Sequence, residues 1–203
     1  CETKAVGSDG NLYAWGAGGG GRLGNGATTS SSLPVVVQAP AGVTLSGVAL
    51  GFRTAAALGS DGNTYVWGAN DLYLHGNGTT SSSAQLLVPS PVTLPAGVTF
   101  SKLVFSHVAF AAALGTDGNL YVWGSNLTNL IPGGSPVSAV PVQALTPAGV
   151  SITAVATTIG GLMVVDSNGQ AYGFGNNQYG KLGDGTTTDS QVPVQVQLPA
   201  GLT

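Results

Sequence analysis

Charge is what this sequence has least of. Only 6% of its 203 residues are Asp, Glu, Lys or Arg, against about a quarter in an ordinary globular chain. The five Lys or Arg are scattered singly and the net charge is -3. No basic patch can neutralise phosphates, which excludes nucleic acid and anionic membrane surfaces as partners. Hydrophobic residues make up 43% of the chain, yet no stretch approaches the roughly 18–20 uncharged apolar residues of a membrane helix. The apolar stretches are short and broken by Gly, Ser or Pro, so the reading is a soluble or surface protein without a membrane span. The single cysteine, Cys1, excludes an internal disulfide. It reads as an artificial chain boundary, a lipid-modified N-terminus left by signal cleavage, or a thiol for an intermolecular link. No signal peptide or targeting segment is visible. No segment of useful length has helical periodicity.

What the sequence has in excess is one phrase. "DGNLYAWG" at 9–16 returns as "DGNTYVWG" at 61–68 and "DGNLYVWG" at 117–124, with a worn copy, "NGQAYGFG", at 168–175. Trp15, Trp67, Trp123 and Phe174 fall in register at a period near ~50 residues, a spacing of propellers or arrays rather than of short helical repeats. An apolar run precedes each of the last three copies: "TAAALGS" at 54–60, "FAAALGT" at 110–116 and "LMVVDS" at 162–167. A Gly-rich turn and a Thr/Ser run follow, as in "GNGATTSSS" at 24–32, then a Pro/Val strand such as "LPVVVQ" at 33–38. Each unit closes on "PAG", and in three cases a further strand comes next, for example "FSKLVFS" at 100–106.

Asp-Gly or Asn-Gly between two apolar runs is a strong hairpin signal, because a tight primed turn needs positive φ. This assigns Asp9-Gly10, Asp61-Gly62, Asp117-Gly118 and Asn168-Gly169 to hairpin turns. Val, Tyr and Trp after the turn suit a half-buried strand. The Gly after each aromatic ends the strand or admits another backbone. The expectation is an all-β fold, a β-propeller of four repeats of about four antiparallel strands each. Its units span approximately 1–52, 53–108, 109–159 and 160–203, in a single domain over 1–203. The Asp caps a turn, and Trp15, Trp67, Trp123 and Phe174 pack between blades.

"ALGSDGNTYVWG", "NNQYGKLGDGTTT" and "VPVQV" together resemble the repeat of the RCC1 (regulator of chromosome condensation 1) family. The resemblance covers almost the whole chain and is closest over 164–197. It implies a propeller, in that family typically of seven blades. The "PAG" closings and low charge resemble secreted or surface bacterial members, which implies an extracellular or cell-surface location. Four repeats fall short of seven, and one strand is missing across the termini. Three arrangements follow: a piece of a longer propeller, copies joined through unfinished terminal strands into a ring or filament, or four blades closing alone.

Chemistry is sparse. The two histidines, His75 and His107, lie in different parts of different repeats, with no Ser or Cys motif beside them. Asp9, Asp61 and Asp117 are committed to turns, and no spacing suggests the facing carboxylates of a glycosidase. No His/Cys cluster or EF-hand pattern points to a metal. "GAGGGGRLGNG" at 16–26 lacks the ending and helix of a phosphate loop, so no cofactor is expected. The sequence therefore reads as a non-enzymatic scaffold that binds a protein or a surface glycan through its blade loops. The alternatives are a structural subunit of a ring or filament and a polysaccharide hydrolase. The loops that depart most from the repeat offer the binding candidates: Tyr73 and His75 in unit two, and Leu127, Asn129, Leu130 and Ile131 in unit three. The opposite reading is that these apolar groups fold back over the blade. Asn77 and Asn126 stand in Asn-x-Thr sequons and are candidates for glycosylation.

Overall fold

The computed structural model describes residues 1–106, 110–126 and 130–200. Fifteen strands form four antiparallel sheets, each a simple meander. Blade 1 has three strands, β1 (Glu2–Val6), β2 (Leu12–Gly16) and β3 (Ser31–Val36). Blade 2 has four, β4 (Leu45–Leu50), β5 (Thr54–Gly59), β6 (Thr64–Ala69) and β7 (Gln85–Pro91). Blade 3 is β8 (Phe100–Phe105), β9 (Phe110–Gly115), β10 (Leu120–Ser125) and β11 (Val137–Gln143). Blade 4 is β12 (Ile152–Thr158), β13 (Gly161–Asp166), β14 (Ala171–Gly175) and β15 (Ser190–Gln195). The strand that follows each internal "PAG" pairs with the next hairpin, so the sheets begin one strand earlier than the repeat units read from the sequence. Blade 1 lacks the counterpart of β4, β8 and β12.

The Asp-Gly phrases are hairpin turns, but not of the two-residue primed kind. Gly59 N–H donates to Asn63 O and Gly62 N–H to Gly59 O, which leaves Ser60, Asp61 and Gly62 as a three-residue loop. Only Gly62 has positive φ, +83°, and no Asp or Asn of these turns does. This is a type I turn closed by a left-handed glycine, which needs one such residue instead of two. The Asp side chain secures it. Asp61 Oδ1 accepts from Asn63 N at 3.1 Å, and Oδ2 accepts from Asn63 Nδ2 at 2.8 Å and Tyr65 Oη at 2.7 Å. Asp9 and Asp117 repeat the set with Asn11/Tyr13 and Asn119/Tyr121. The Tyr and Asn hydrogen bonds hold the Asp61 carboxyl below its usual range.

The turn is packed closely enough to dictate its first residue. A Cβ on Gly59 would lie 2.5 Å from Asp61 Oδ1 and 2.6 Å from the Tyr65 ring. In blade 4 that place holds Asp166, which takes over the cap: its Oδ1 accepts from Asn168 N at 2.8 Å and Gln170 N at 2.9 Å.

The core lies between blades. Three buried apolar clusters fill the spaces between blades 1 and 2, 2 and 3, and 3 and 4. Trp67 and Trp123 are fully buried there, and each indole crosses to the preceding blade. Trp67 Nε1 donates to Arg22 O at 3.1 Å and Trp123 Nε1 to Leu74 O at 3.0 Å. Phe174 is buried without a polar bond to give, whereas Trp15 is half-exposed. The glycine after the aromatic admits a neighbouring backbone: Gly68 has φ +102°, and a Cβ there would meet Arg53 O at 2.3 Å. Its strand pairing breaks register at that point.

Candidate functional site: the loop face

Because each sheet is a meander, its connections alternate between two faces. One face carries the capped hairpins and the "PAG" links. The other carries the inner connections, around residues 51–53 and 159–160, together with the long loops 17–30, 70–84 and 176–189. The described part of the third long loop, 126 and 130–136, lies there too. Polar ties join the two kinds of loop within a blade. Arg22 meets Glu2 at 3.5 Å, Arg53 meets Asp71 at 2.9 Å, and Lys181 Nζ donates to Ile159 O.

Each long loop from blade 2 onward is built around one buried asparagine, which the sequence reading missed. Asn70 Oδ1 accepts from His75 N at 3.0 Å, and its Nδ2 donates to Thr79 O and Ser81 O. Asn126 Oδ1 accepts from Ile131 N at 2.8 Å, and Nδ2 donates to Ile131 O and Ser135 O. Asn177 Oδ1 accepts from Leu182 N at 2.8 Å, and Nδ2 donates to Thr186 O and Asp184 Oδ1. An amide suits the place because one side chain accepts and donates at once. The signal was present: each Asn stands three residues after Trp67, Trp123 or Phe174. In blade 1 the place is Gly18, where a Cβ would lie 2.0 Å from Thr29 O, and the loop draws in around its absence.

This staple corrects several binding candidates. His75 is buried, 1% exposed, because it occupies the place that Leu23 and Leu182 fill in blades 1 and 4. Its Nε2 pairs with Gly68 O at 3.0 Å, and burial pushes its pKa down, so the ring is neutral. Leu130 and Ile131 join the core between blades 3 and 4, pulled in by the Asn126 bond to Ile131. Tyr73 is half-buried, with a φ of +60°. The Asn126 amide is buried and fully used, so a glycan has no room there; Asn77 is half-exposed, its Oδ1 accepting from Thr79 N. Leu127, Asn129 and His107 lie outside the described residues. What the face presents instead is Phe52 at 55% and Ile159 at 74% exposure, both at the tips of inner connections.

Between blades 1 and 2 a cavity of about 480 Å³ is lined by Cys1, Glu2, Arg22, Leu50, Gly51 and Phe52. Beside it, the Lys4 side chain is buried, with Nζ 3.8 Å from Glu2 and 5.7 Å from the Trp67 ring centre. Burial lowers the Lys4 pKa to about 8 against the opposing pull of Glu2. Among the described residues, no three His, Cys, Asp or Glu side chains gather to hold a metal, and no helix is long and apolar enough to cross a membrane.

The sequence matches the family description "Regulator of chromosome condensation (RCC1) repeat" over residues 9–58 and 168–202. It is similar to the ultraviolet-B receptor UVR8 of Arabidopsis thaliana, 30% identical over 187 residues, which is 92% of this chain and 42% of that protein. It is also similar to the human E3 ubiquitin-protein ligase HERC2, 32% identical over 199 residues, 97% of this chain and 4% of that one. The chain thus spans less than half the length of these curated relatives. Among solved structures, human WBSCR16 superposes with a TM-score of 0.83 at 23% identity, over 98% of this chain and 51% of its own. Prp20p from Saccharomyces cerevisiae, described with its binding to Gsp1p and histones, superposes with a TM-score of 0.79 at 22% identity, over 98% and 49%.

Proposed function

This chain is built from RCC1 repeats, and we propose that it is a non-enzymatic scaffold whose loop face binds another protein. The observation that carries this is the contrast between the two faces. The hairpin face repeats one solution three times, down to the Asp–Asn–Tyr bonds, and its polar groups are spent on one another. The loop face differs in every blade, is held in shape by its own asparagines and ionic ties, and exposes large apolar groups at Phe52 and Ile159. A fixed frame with variable tips is how loops on a rigid scaffold acquire specificity. Apolar tips in a polar surround are what a protein interface uses.

The low charge and the Thr/Ser-rich loops favour an extracellular or surface setting for this binding. The test compares immobilised wild-type chain with a Phe52→Asp/Ile159→Asp variant in capturing native partners. Loss of specific partners on a correctly folded variant is expected. Retention of every partner would refute the loop face as the binding surface.

A further inference from the structure

The internal blades define what a complete interface between blades looks like, and the two outer flanks are its separated halves. On the side facing the preceding blade, blade 2 presents Ala55, Ala57, Tyr65 and Trp67, and blade 3 presents Ala111, Ala113, Tyr121 and Trp123. All eight are buried. Strand pairing puts Thr3, Ala5, Tyr13 and Trp15 in the same places on blade 1. There Thr3 and Ala5 are exposed, and Tyr13 and Trp15 are half-exposed.

The other half is on blade 4. Trp67 and Trp123 donate to the carbonyls of Arg22 and Leu74, each the residue before Leu23 or His75 in the loop of the preceding blade. The corresponding carbonyl in blade 4 is that of Lys181, before Leu182, and among the described residues no indole reaches it. Gly24 and Gly76 lie so close to these indoles that a Cβ would come within 2.8 Å of each ring. Gly183, next in the series, meets only Val196. Val37, Val92 and Ala144 are buried by the following blade, whereas their counterpart Val196 is half-exposed. Gly20 lies against Ala69 and Arg53 of the next blade, and its counterpart Tyr179 is 89% exposed.

We propose that the blade 4 flank of one copy docks on the blade 1 flank of a second copy, with Trp15 Nε1 donating to the Lys181 carbonyl of the other chain. The contact continues an interface that the fold already makes three times, and its two surfaces differ, so it is heterologous. The chain matches about half of each solved structure of this fold. Two copies joined head to tail at both flanks therefore supply a full ring. In that ring Tyr179 lies against Ala17, as Gly20 lies against Ala69.

Light scattering behind a sizing column, over a wide range of concentration, tests this directly. Wild-type chain is expected at about twice 20.0 kDa. Trp15→Glu and Tyr179→Glu, one on each flank, are each expected to weaken association by at least about a hundredfold. Leu145→Ser, an exposed apolar change away from both flanks, leaves it intact. Mixing the two Glu variants restores a dimer, because one undamaged flank of each kind remains. A wild-type monomer at every concentration, two variants that stay dimeric, or a mixture that stays monomeric would each overturn the proposal. Circular dichroism of the separate variants excludes loss of fold as the cause.

Discussion

Acid should find one weak point in this protein before all others, and that point is His75. The ring occupies a leucine place between sheets, 1% exposed, with Nε2 on the Gly68 carbonyl at 3.0 Å. Burial opposes the charged form more than that carbonyl favours it, so the folded-state pKa lies below 6.5. In the unfolded chain the ring takes a proton near its ordinary pKa. Between the folded pKa and about 6.5 the unfolded state therefore binds more protons, and stability falls as the pH falls. The limiting slope is about 1.4 kcal/mol per pH unit. For a chain of this size that is a fall in Tm of roughly 2–6 °C between pH 6.5 and 5.5. The turn carboxylates Asp9, Asp61 and Asp117 are held below 3.8, so their contribution is lost only at lower pH. His75→Leu places the blade 1 and blade 4 residue in blade 2. At pH 7.5 it exchanges one hydrogen bond, worth about 1 kcal/mol, for apolar burial of similar size, and stability changes little. Urea titrations at pH 7.5, 6.5 and 5.5, with His107→Gln as the control for the other histidine, decide the matter. A His75→Leu variant that loses as much stability as wild type between pH 6.5 and 5.5 would refute the assignment.

Lys4 should show the converse on the alkaline side. Its pKa of about 8 in the fold lies below the ordinary 10.5, so stability rises as the pH climbs from 8 toward 10.5; Lys4→Met should gain on the order of 2 kcal/mol at pH 7 and lose that rise in urea titrations. Asn177→Ala removes the acceptor for the buried Leu182 N–H and the donor to Thr186 O, and should cost about 2–3 kcal/mol with protease cleavage appearing first in loop 176–189. Gly59→Asp alone should be severely destabilising because its Cβ meets Asp61 Oδ1, whereas Gly59→Asp with Asp61→Asn rebuilds the blade 4 turn. A double-mutant cycle should show a favourable coupling of at least about 1 kcal/mol, and additive effects would count against the turn geometry.

The repeat period, the strand order and the positions of the turns were legible because period-2 alternation and Asp-Gly turns are local properties. The turn type was not, since it depends on whether one residue or two take positive φ, and "DG" serves both cases. The loop residues failed for a different reason. Leu130, Ile131 and His75 look exposed in a polar, irregular stretch, but a single Asn at the loop entrance accepts the N–H five residues on and turns the intervening backbone so that they point inward. That bond is non-periodic and leaves only a faint trace, an Asn three places after the aromatic. Phe52 and Ile159 escaped notice because their positions align with residues of unlike character in the other blades. Variation at a repeated position was itself the signal.

The allocation of charge bears on how a partner would be held. Glu2, Lys4 and Arg22 form one buried or half-buried group, Arg53 pairs with Asp71, and Lys181 is tied to a backbone carbonyl. Asp9, Asp61 and Asp117 are spent on turns, and Asp166 caps the fourth. Asp184 and Asp189 brace the last loop through Asn177. Of the Lys and Arg side chains, Lys102 alone has no partner among the described residues, and it sits on β8 rather than on the loop face. A surface whose charges are already paired cannot steer a partner over long range, and adding salt has little left to screen. Binding at the loop face must then rest on apolar burial and short-range hydrogen bonds at Phe52 and Ile159. Raising ionic strength tenfold should change the dissociation constant of a captured partner by less than about threefold, measured by surface plasmon resonance or calorimetry. A steep loss of affinity with salt would show that the partner is held by charges on another surface of the blades, and the loop face would lose its claim.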